Sequence, residues 1–339
     1  MDARFQFTPH LIELTESVLP SGEVLQRLAR TTAHGSASRN KLPTRRPPSP
    51  HNPIESMKTV RSFLFVPAAN EKLLDSSINK TSDAVILDLE DGTHPSNRAA
   101  ARKLLPESIS KLKAANKLAA VRVNGDWLTT AIDLQAAVVH GLDILVLPKV
   151  EHARDVQIIA QMVTALESAQ SMQAGHVRFL LQIESAAALP RLYDIATASS
   201  RVMGMMLGSE DYSLDCGGLP TADALLYPSM AVLTAARAAR IQPIGFVASI
   251  AELGSPEEFK VVVQRARALG FRGAVVVHPK FVDVVNECYT ASPQEVEQAR
   301  RVVNVFDEAF ARGEGAIKLD GAMVDKPVYL RAKELLAQL

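Results

Sequence analysis

Glu184 and Asp211 close two apolar runs, Arg178-Phe-Leu-Leu-Gln-Ile-Glu184 and Arg201-Val-Met-Gly-Met-Met-Leu-Gly-Ser-Glu-Asp211, 27 positions apart. An apolar run of about seven residues suits a fully buried strand. A carboxylate just past such a run sits at the strand's carboxyl end. Two successive strands ending this way aim two carboxylates into one mouth, which is how oxygen ligands for a hard cation such as Mg²⁺ are assembled. Other charged residues occupy equivalent positions: Asp88, Glu90 and Asp91; Arg122; Lys149; and His278 before Pro279. Clustered buried charge is costly unless it is paired or metal-bound, so the pattern implies a site. Glu184 and Asp211 are the expected metal ligands, with Glu210 as a competitor expected to point the other way. Arg122 is an expected binder of anionic or oxyanionic oxygen. Asp88 is expected in a structural role, capping a helix or pairing with a cation. His278 suits a satisfied structural histidine as well as a catalytic one. Lys149 has a Schiff-base alternative, but its neighbours suit a metal site better.

Eight apolar, β-branched runs must position these residues: Ser62–Val66, Ala84–Leu89, Leu118–Val123, Ile144–Leu147, Phe179–Ile183, Val202–Leu207, Ile244–Val247 and Ala274–Val277. Segments of helical composition lie between them, at Asn97–Leu112, Val150–Ala169, Glu184–Ser200, Pro228–Arg240 and Pro256–Leu269. Ser255-Pro-Glu-Glu supplies a cap, a first-turn proline and acids facing the helix dipole, and Gly270 supplies a stop. Alternating strands and helices predict parallel pairing with right-handed crossovers. A TIM (β/α)₈ barrel over residues 58–290 is the expected fold, and an open doubly wound sheet is the runner-up. No G-x-G-x-x-G follows the first strand and no G-x-x-x-x-G-K-[ST] occurs, which weakens a nucleotide-binding open sheet. In a barrel, chemistry collects at the carboxyl ends of the strands.

The formal net charge of zero gives no electrostatic reason for nucleic acid or an anionic membrane as partner. Aromatic residues are scarce and no apolar run reaches membrane-spanning length. Cys216 and Cys288 lie far apart and form no metal-ligand spacing. A cytoplasmic protein with free thiols is expected. Residues 1–57 contain Thr44-Arg-Arg-Pro-Pro-Ser-Pro-His-Asn-Pro53, too rich in proline for a strand or helix, and are expected to be a disordered extension. Their acids argue against a mitochondrial presequence. Beyond the barrel, residues 291–339 are expected to form a helical extension acting as a lid, an oligomer arm or both: a helix from Ser292 to Arg312, an irregular stretch at Ile317–Val324, and a last helix after Asp325-Lys-Pro-Val.

In order along the chain, Arg61-Ser-Phe-Leu-Phe-Val-Pro67, Ile86-Leu-Asp-Leu-Glu-Asp-Gly92, Val121-Arg-Val-Asn124, Leu147-Pro-Lys149, Ile183-Glu184, Gly208-Ser-Glu-Asp-Tyr212 and Val277-His-Pro279 resemble the motifs of citrate lyase β-subunit-like CoA-ester lyases, in the HpcH/HpaI aldolase/citrate lyase superfamily. The resemblance runs from about Met57 to the end and includes Asp320-Gly-Ala-Met-Val-Asp325. Met57-Lys-Thr-Val-Arg-Ser resembles the family's usual start, which supports the alternative to a disordered extension, a native start at Met57. The resemblance implies a Mg²⁺-dependent barrel that cleaves a C–C bond beside a CoA thioester of citramalyl, malyl or citryl type, giving a 2-oxo acid and an acyl-CoA. It implies Glu184 and Asp211 as metal ligands, Arg122 at the substrate oxygens, and Asp325 as an acid/base reaching a neighbouring subunit's site. A homo-oligomer, trimer or hexamer, follows from that last role. Arg122, Glu184, Arg61 and Lys149 are the expected substrate contacts, the last-named pair for carboxylate or CoA phosphate.

Some positions depart from the family pattern. Ala68 replaces the usual glycine after the first Val-Pro, Lys280-Phe281 lacks the usual Gln, and Pro243-Ile-Gly-Phe-Val-Ala-Ser-Ile250 carries no Asp. They bear on the substrate more than on the reaction type. Alternative readings are a citrate lyase β chain working only in an acyl-carrier complex, a malyl-CoA thioesterase or malate-synthase-like activity, and a non-catalytic CoA-ester-binding protein. A pyruvate-type class II aldolase would want acid-His after the second strand, where Glu90-Asp91 stands.

Overall fold

The computed structural model describes residues 59–337, so the expectations for residues 1–57 lie outside the described residues. Eight strands form one parallel sheet: β1 Ser62–Pro67, β2 Ala84–Asp88, β3 Leu118–Arg122, β4 Ile144–Leu147, β5 Arg178–Ile183, β6 Val202–Leu207, β7 Gln242–Pro243 and β8 Ala274–Val276. They lie side by side in chain order, and β1 pairs with both β2 and β8. Between β7 and β8 two backbone bonds replace a ladder: Arg272 N donates to Pro243 O and Gly245 N to Gly273 O, each at 2.9 Å. The Gln242 amide bridges the same seam, donating to Val60 O and Arg272 O and accepting from Val60 N. The sheet thereby closes into the barrel expected from the alternation of strands and helices.

The crossovers are α1 Glu71–Ile78, α2 Arg98–Ala114, α3 Trp127–Ala137, α4 Ala153–Ala169, α5 Leu192–Ala196, α6 Ser209–Asp215, α7 Ala222–Ala238 and α8 Pro256–Leu269, and α9 Val282–Tyr289 follows the last strand. The Ser255 cap, the Pro256 first turn and the left-handed Gly270 stop bound α8 as expected. Four of these helices, α1, α3, α6 and α9, were not anticipated. The stretch after β5 is a 3₁₀ segment followed by short α5 rather than one long helix, because Pro190 interrupts the ladder.

Strand residues alternate between two cores, as the period of 2 demands. Phe63, Ala84, Ile86, Ala120, Ile144, Val146, Leu180 and Met206 fill the barrel interior. Leu64, Val85, Leu87, Val121, Leu145, Phe179, Leu181 and Met205 face the helices. Continuing the inward series to the carboxyl ends reaches Asp88 on β2, Arg122 on β3, and Gln182 then Glu184 on and after β5. The same alternation that packs the core therefore delivers charged side chains into the top of the barrel.

The C-terminal extension comprises α10 Pro293–Ala311, an antiparallel hairpin of β9 Ala316–Leu319 and β10 Ala322–Asp325, and α11 Lys326–Leu336. The stretch expected to be irregular is this hairpin. Its turn places Asp320 and Gly321 at φ 48° and 84°, the left-handed pair of a two-residue hairpin turn. Val302, Phe306, Val324 and Ala332 give it a small core, with Phe306 stacked on Tyr329 at 4.7 Å. Glu334 of α11 reaches Arg237 at 2.9 Å and Arg272 at 3.5 Å. Both arginines precede barrel strands, so α11 docks at the amino-end rim, opposite the carboxyl ends. Among the described residues, no helix is long and apolar enough to cross a membrane.

Candidate active site

At the carboxyl-end mouth lies a cleft of about 500 Å³, bordered by Asp88, Asp91, Arg122, Gln182, Glu210 and Asp211 on its polar side. Arg122 is the centre of the charge. Its register partner across the β2–β3 pairing is Asp88, which places the two side chains on one face. Nε and Nη2 each donate to one Asp88 oxygen at 2.7 Å, a bidentate fork. Nη1 lies 3.0 Å from Glu90 and Nη2 3.4 Å from Asp91, and the guanidinium covers the Phe65 ring at 4.7 Å. Burial works against its charge, but the bonds and charges of Asp88, with Glu90 and Asp91, outweigh that and raise its pKa. Asp88 also accepts from Glu90 N and Gly92 N, so the structural role expected for it is what the geometry displays. A side chain at Gly92 would strike Asp88 Oδ2 at 2.5 Å, which is why the turn carries glycine.

Lys149 stands at φ 53°, a left-handed conformation uncommon for a side-chain-bearing residue. The strain turns its N–H onto Glu184 Oε2 at 2.6 Å, while Nζ meets Glu90 Oε1 at 3.0 Å. Both Glu90 oxygens are thus close to cations, Oε2 to Arg122 and Oε1 to Lys149. Burial, offset in part by Arg122 and Lys149 and reinforced by Asp91, raises the Glu90 pKa. Burial also opposes the Lys149 ammonium, yet Glu90, Glu184 and Asp211 prevail and raise its pKa. A Schiff-base lysine needs the opposite shift, so the geometry supports the ion-pair role.

Glu184 is 3 % exposed and carries the largest carboxylate perturbation of the site. Burial, then the charges of Glu90 and Asp211, push its pKa up to about 8 against the pull of the Lys149 N–H and Arg122. Gln182 Nε2 donates to Glu184 Oε1 at 2.6 Å, and Gln182 Oε1 is buried with no protein partner. Gly208, just past β6, presses on this carboxylate: a Cβ there would meet Glu184 Cγ at 2.5 Å and Oε1 at 2.7 Å. Asp211 follows in the first turn of α6 on the cleft wall. Glu210 also borders the cleft, where Oε1 accepts from Ser249 Oγ at 2.7 Å and Ser209 Oγ at 3.2 Å. The expectation that Glu210 points away is therefore corrected: a serine clasp holds it at the rim.

Six carboxylates, Asp88, Glu90, Asp91, Glu184, Glu210 and Asp211, surround this mouth, and among the described residues only Arg122 and Lys149 face them as cations. A divalent, oxygen-preferring cation fits that surplus, the orphaned Gln182 acceptor and the uncompensated Glu184. Among the described residues, no group of three metal-type side chains is preformed. Two carboxylates are nonetheless enough for an ion such as Mg²⁺, which keeps several waters and takes further oxygens from substrate.

Arg61 does not join the site. It precedes β1, so it lies on the amino-end rim, where its guanidinium pairs with Asp83 at 2.7 Å and donates to Thr290 Oγ1 at 2.8 Å. The strand's direction excludes it from the mouth, and its expected substrate role is withdrawn. His278 is exposed and caps the 3₁₀ turn after β8, accepting from Lys280 N. Asp325 caps α11 by accepting from Val328 N at 3.2 Å and is not among the residues lining this chain's own cleft. Gln182 and Phe65 are the site residues that sequence reasoning missed. The signal for Gln182 was its place two residues before Glu184, on the same strand face.

A closed parallel barrel with acids massed around one buried arginine defines a class of enzyme that handles anionic, oxygen-rich substrates with a metal. The family model for "HpcH/HpaI aldolase/citrate lyase" matches residues 61–279. The chain belongs to this family. It is 34% identical over 283 residues to the citrate lyase subunit β of Haemophilus influenzae, covering 83% of this chain and 97% of that one. It is 31% identical over 315 residues to the L-malyl-CoA/β-methylmalyl-CoA lyase of Cereibacter sphaeroides, covering 86% and 96%. Among solved structures, CitE from Mycobacterium tuberculosis in complex with magnesium, acetoacetate and coenzyme A superposes with a TM-score of 0.64 at 26% identity, over 83% of this chain and 98% of that one.

Proposed function

We propose that the protein is a carbon–carbon lyase acting on a 3-hydroxy-3-carboxyacyl-CoA, releasing a 2-oxo acid and an acyl-CoA. The observation that carries this reading is buried Glu184, its charge uncompensated beside Asp211 in a mouth with surplus carboxylates. The relatives named for citrate and malyl-CoA cleavage support the reaction type. Glu184 and Asp211 would hold Mg²⁺, the metal named with the M. tuberculosis relative. Bound there, it would supply Lewis acidity toward the hydroxyl and oxo oxygens of the substrate.

The chain's own residues do the rest. Lys149 and Gln182 lock the Glu184 carboxylate through both oxygens, so it is oriented before any ligand arrives. The hydroxyl proton leaves to a carboxylate of the mouth, and the hydroxyl oxygen becomes the ketone oxygen. The bond to the thioester α-carbon breaks, and its electron pair passes to that carbon as an enolate. Arg122, held rigid by Asp88, donates to the developing oxyanion without reorganising. Asp325 of a neighbouring copy returns a proton to the enolate carbon. Its station away from its own cleft supports a homo-oligomeric arrangement.

Purified protein assayed with Mg²⁺ against citramalyl-, malyl- and citryl-CoA, with and without chelator, tests the reading. Metal-dependent release of a 2-oxo acid is expected, and it should vanish in Glu184→Ala and Asp211→Ala variants that keep the wild-type circular dichroism. Full activity in both variants would remove the metal-site assignment. The identity to a citrate lyase β subunit favours one further reading, a chain that works only inside an acyl-carrier complex. Turnover of a free CoA ester by the isolated protein argues against it.

A further inference from the structure

Where the C-terminal extension docks on the amino-end rim, a second cavity of about 730 Å³ lies between the two. Elements far apart in the chain bring four arginines to it: Arg61 before β1, Arg267 in the last turn of α8, Arg272 before β8 and Arg331 on α11. Among the described residues, two carboxylates line it, Glu295 and Glu334. Glu295 pairs with Arg267 at 2.9 Å. Glu334 is divided between Arg237 at 2.9 Å and Arg272 at 3.5 Å. Arg61 pairs with Asp83 at 2.7 Å. Arg272 Nε is buried without a partner, and the Arg331 guanidinium forms no ion pair or hydrogen bond, among the described residues.

With the outer partners Asp83 and Arg237 included, five guanidiniums stand against three carboxylates. The carboxyl ends of α8 and α9 turn about half a negative charge each toward this rim, and the amino end of α10 returns about half a positive charge. A positive surplus survives that offset. Cations gathered in a cavity are costly unless an anion joins them. The planar fork of a guanidinium matches phosphate and carboxylate oxygens two at a time. We propose that this cavity binds a small multivalent oxyanion, of the diphosphate or tricarboxylate class, which joins Arg272 of the barrel to Arg331 of α11. Arg61 and Arg267 add to the attraction. The ligand fastens the extension to the rim, and with it the helix that Asp325 caps. Its place at the amino end of the barrel separates it from the mouth that holds Glu184 and Asp211.

The test titrates the metal-free full chain calorimetrically with pyrophosphate and, separately, with citrate, at constant ionic strength. One saturable site is expected, weaker as salt rises, with a higher melting temperature at saturation. Binding of either probe supports the site, and the tighter one names its class. Arg331 is exposed, so Arg331→Glu is expected to fold. That variant and Arg272→Gln should each weaken binding by about tenfold or more, the scale of a hydrogen bond to an ionised group. Amide hydrogen exchange in α11 should slow on binding. The mouth, beside Arg122, is the competing location: binding unchanged in both variants would place the anion there and overturn the proposal. No saturable binding of either probe at millimolar concentration overturns it as well. Saturable binding that leaves exchange in α11 unaltered overturns the joining of barrel and extension.

Discussion

Gly208→Ala is the sharpest probe of the site. Gly208 has φ −84° and ψ 97°, a conformation open to alanine, so the substitution carries no backbone penalty. The whole effect comes from contact: the new Cβ would lie 2.5 Å from Glu184 Cγ, 2.7 Å from Oε1 and 3.0 Å from Gln182 Nε2. Glu184 cannot yield freely, because the Lys149 N–H and Gln182 hold both its oxygens at 2.6 Å. Overpacking at a tight site costs about 1–3 kcal/mol, and disturbing the partners that orient a metal ligand weakens metal affinity about 10–100-fold. The expected result is a variant with a melting temperature a few degrees lower and a Mg²⁺ requirement raised by about 10–100-fold, or about 1.4–2.8 kcal/mol. Calorimetric Mg²⁺ titration alongside activity against Mg²⁺ concentration measures it, and saturating Mg²⁺ should recover much of the rate. An unchanged Mg²⁺ dependence in a folded variant would refute the placement of the metal at Glu184.

Three further outcomes are expected. Glu184 has a folded pKa of about 8 against 4.5 ordinarily, raised chiefly by burial, so between those values the folded chain holds more protons than the unfolded one. Stability of metal-free protein should therefore fall as pH rises from about 4.5 to about 8; Glu184→Gln should flatten that slope in urea denaturation, and an identical slope in the variant would dismiss the shift. Gln242→Ala removes bonds to Val60 and Arg272 across the β7–β8 seam and should cost about 2–3 kcal/mol at about 1 kcal/mol per bond; a chemical-denaturation midpoint equal to wild type would show the seam needs no such stitch. Asp325→Asn and Glu184→Gln should each be inactive alone, yet regain activity when co-expressed or mixed under subunit exchange, because one hybrid site carries both native residues; no recovery in verified hybrids would place Asp325 outside a neighbour's site.

Much of the architecture was legible because its causes are local. Seven of the eight strands fall within a residue of the apolar runs that announce them. The exception is the seventh, expected at Ile244–Val247 and found at Gln242–Pro243. Ile244 does face the interior, but Gly245 at φ 138° turns the chain out of the sheet; Val247 packs in a cluster outside the barrel, and Phe246 borders the mouth. Apolar composition registers burial, not which layer does the burying. The C-terminal hairpin was missed although Asp320-Gly321 is a strong turn signal, because its strands are only four residues each and half exposed.

By itself the sequence determined the alternation of buried strands and crossover helices, and so the barrel. It also determined that Glu184 and Asp211 emerge at one end of it, since strand direction and the two-residue period are properties of neighbouring residues. Tertiary structure alone decided which charges meet. Arg122 finds Asp88 through the register of two strands 34 positions apart; Lys149 finds both Glu90 and Glu184 through a left-handed backbone kink; and Gly208 earns its place only against Glu184. Those pairings leave the mouth with more carboxylates than cations. Charge balance is a sum over elements distant in sequence, and a linear reading has no access to such sums.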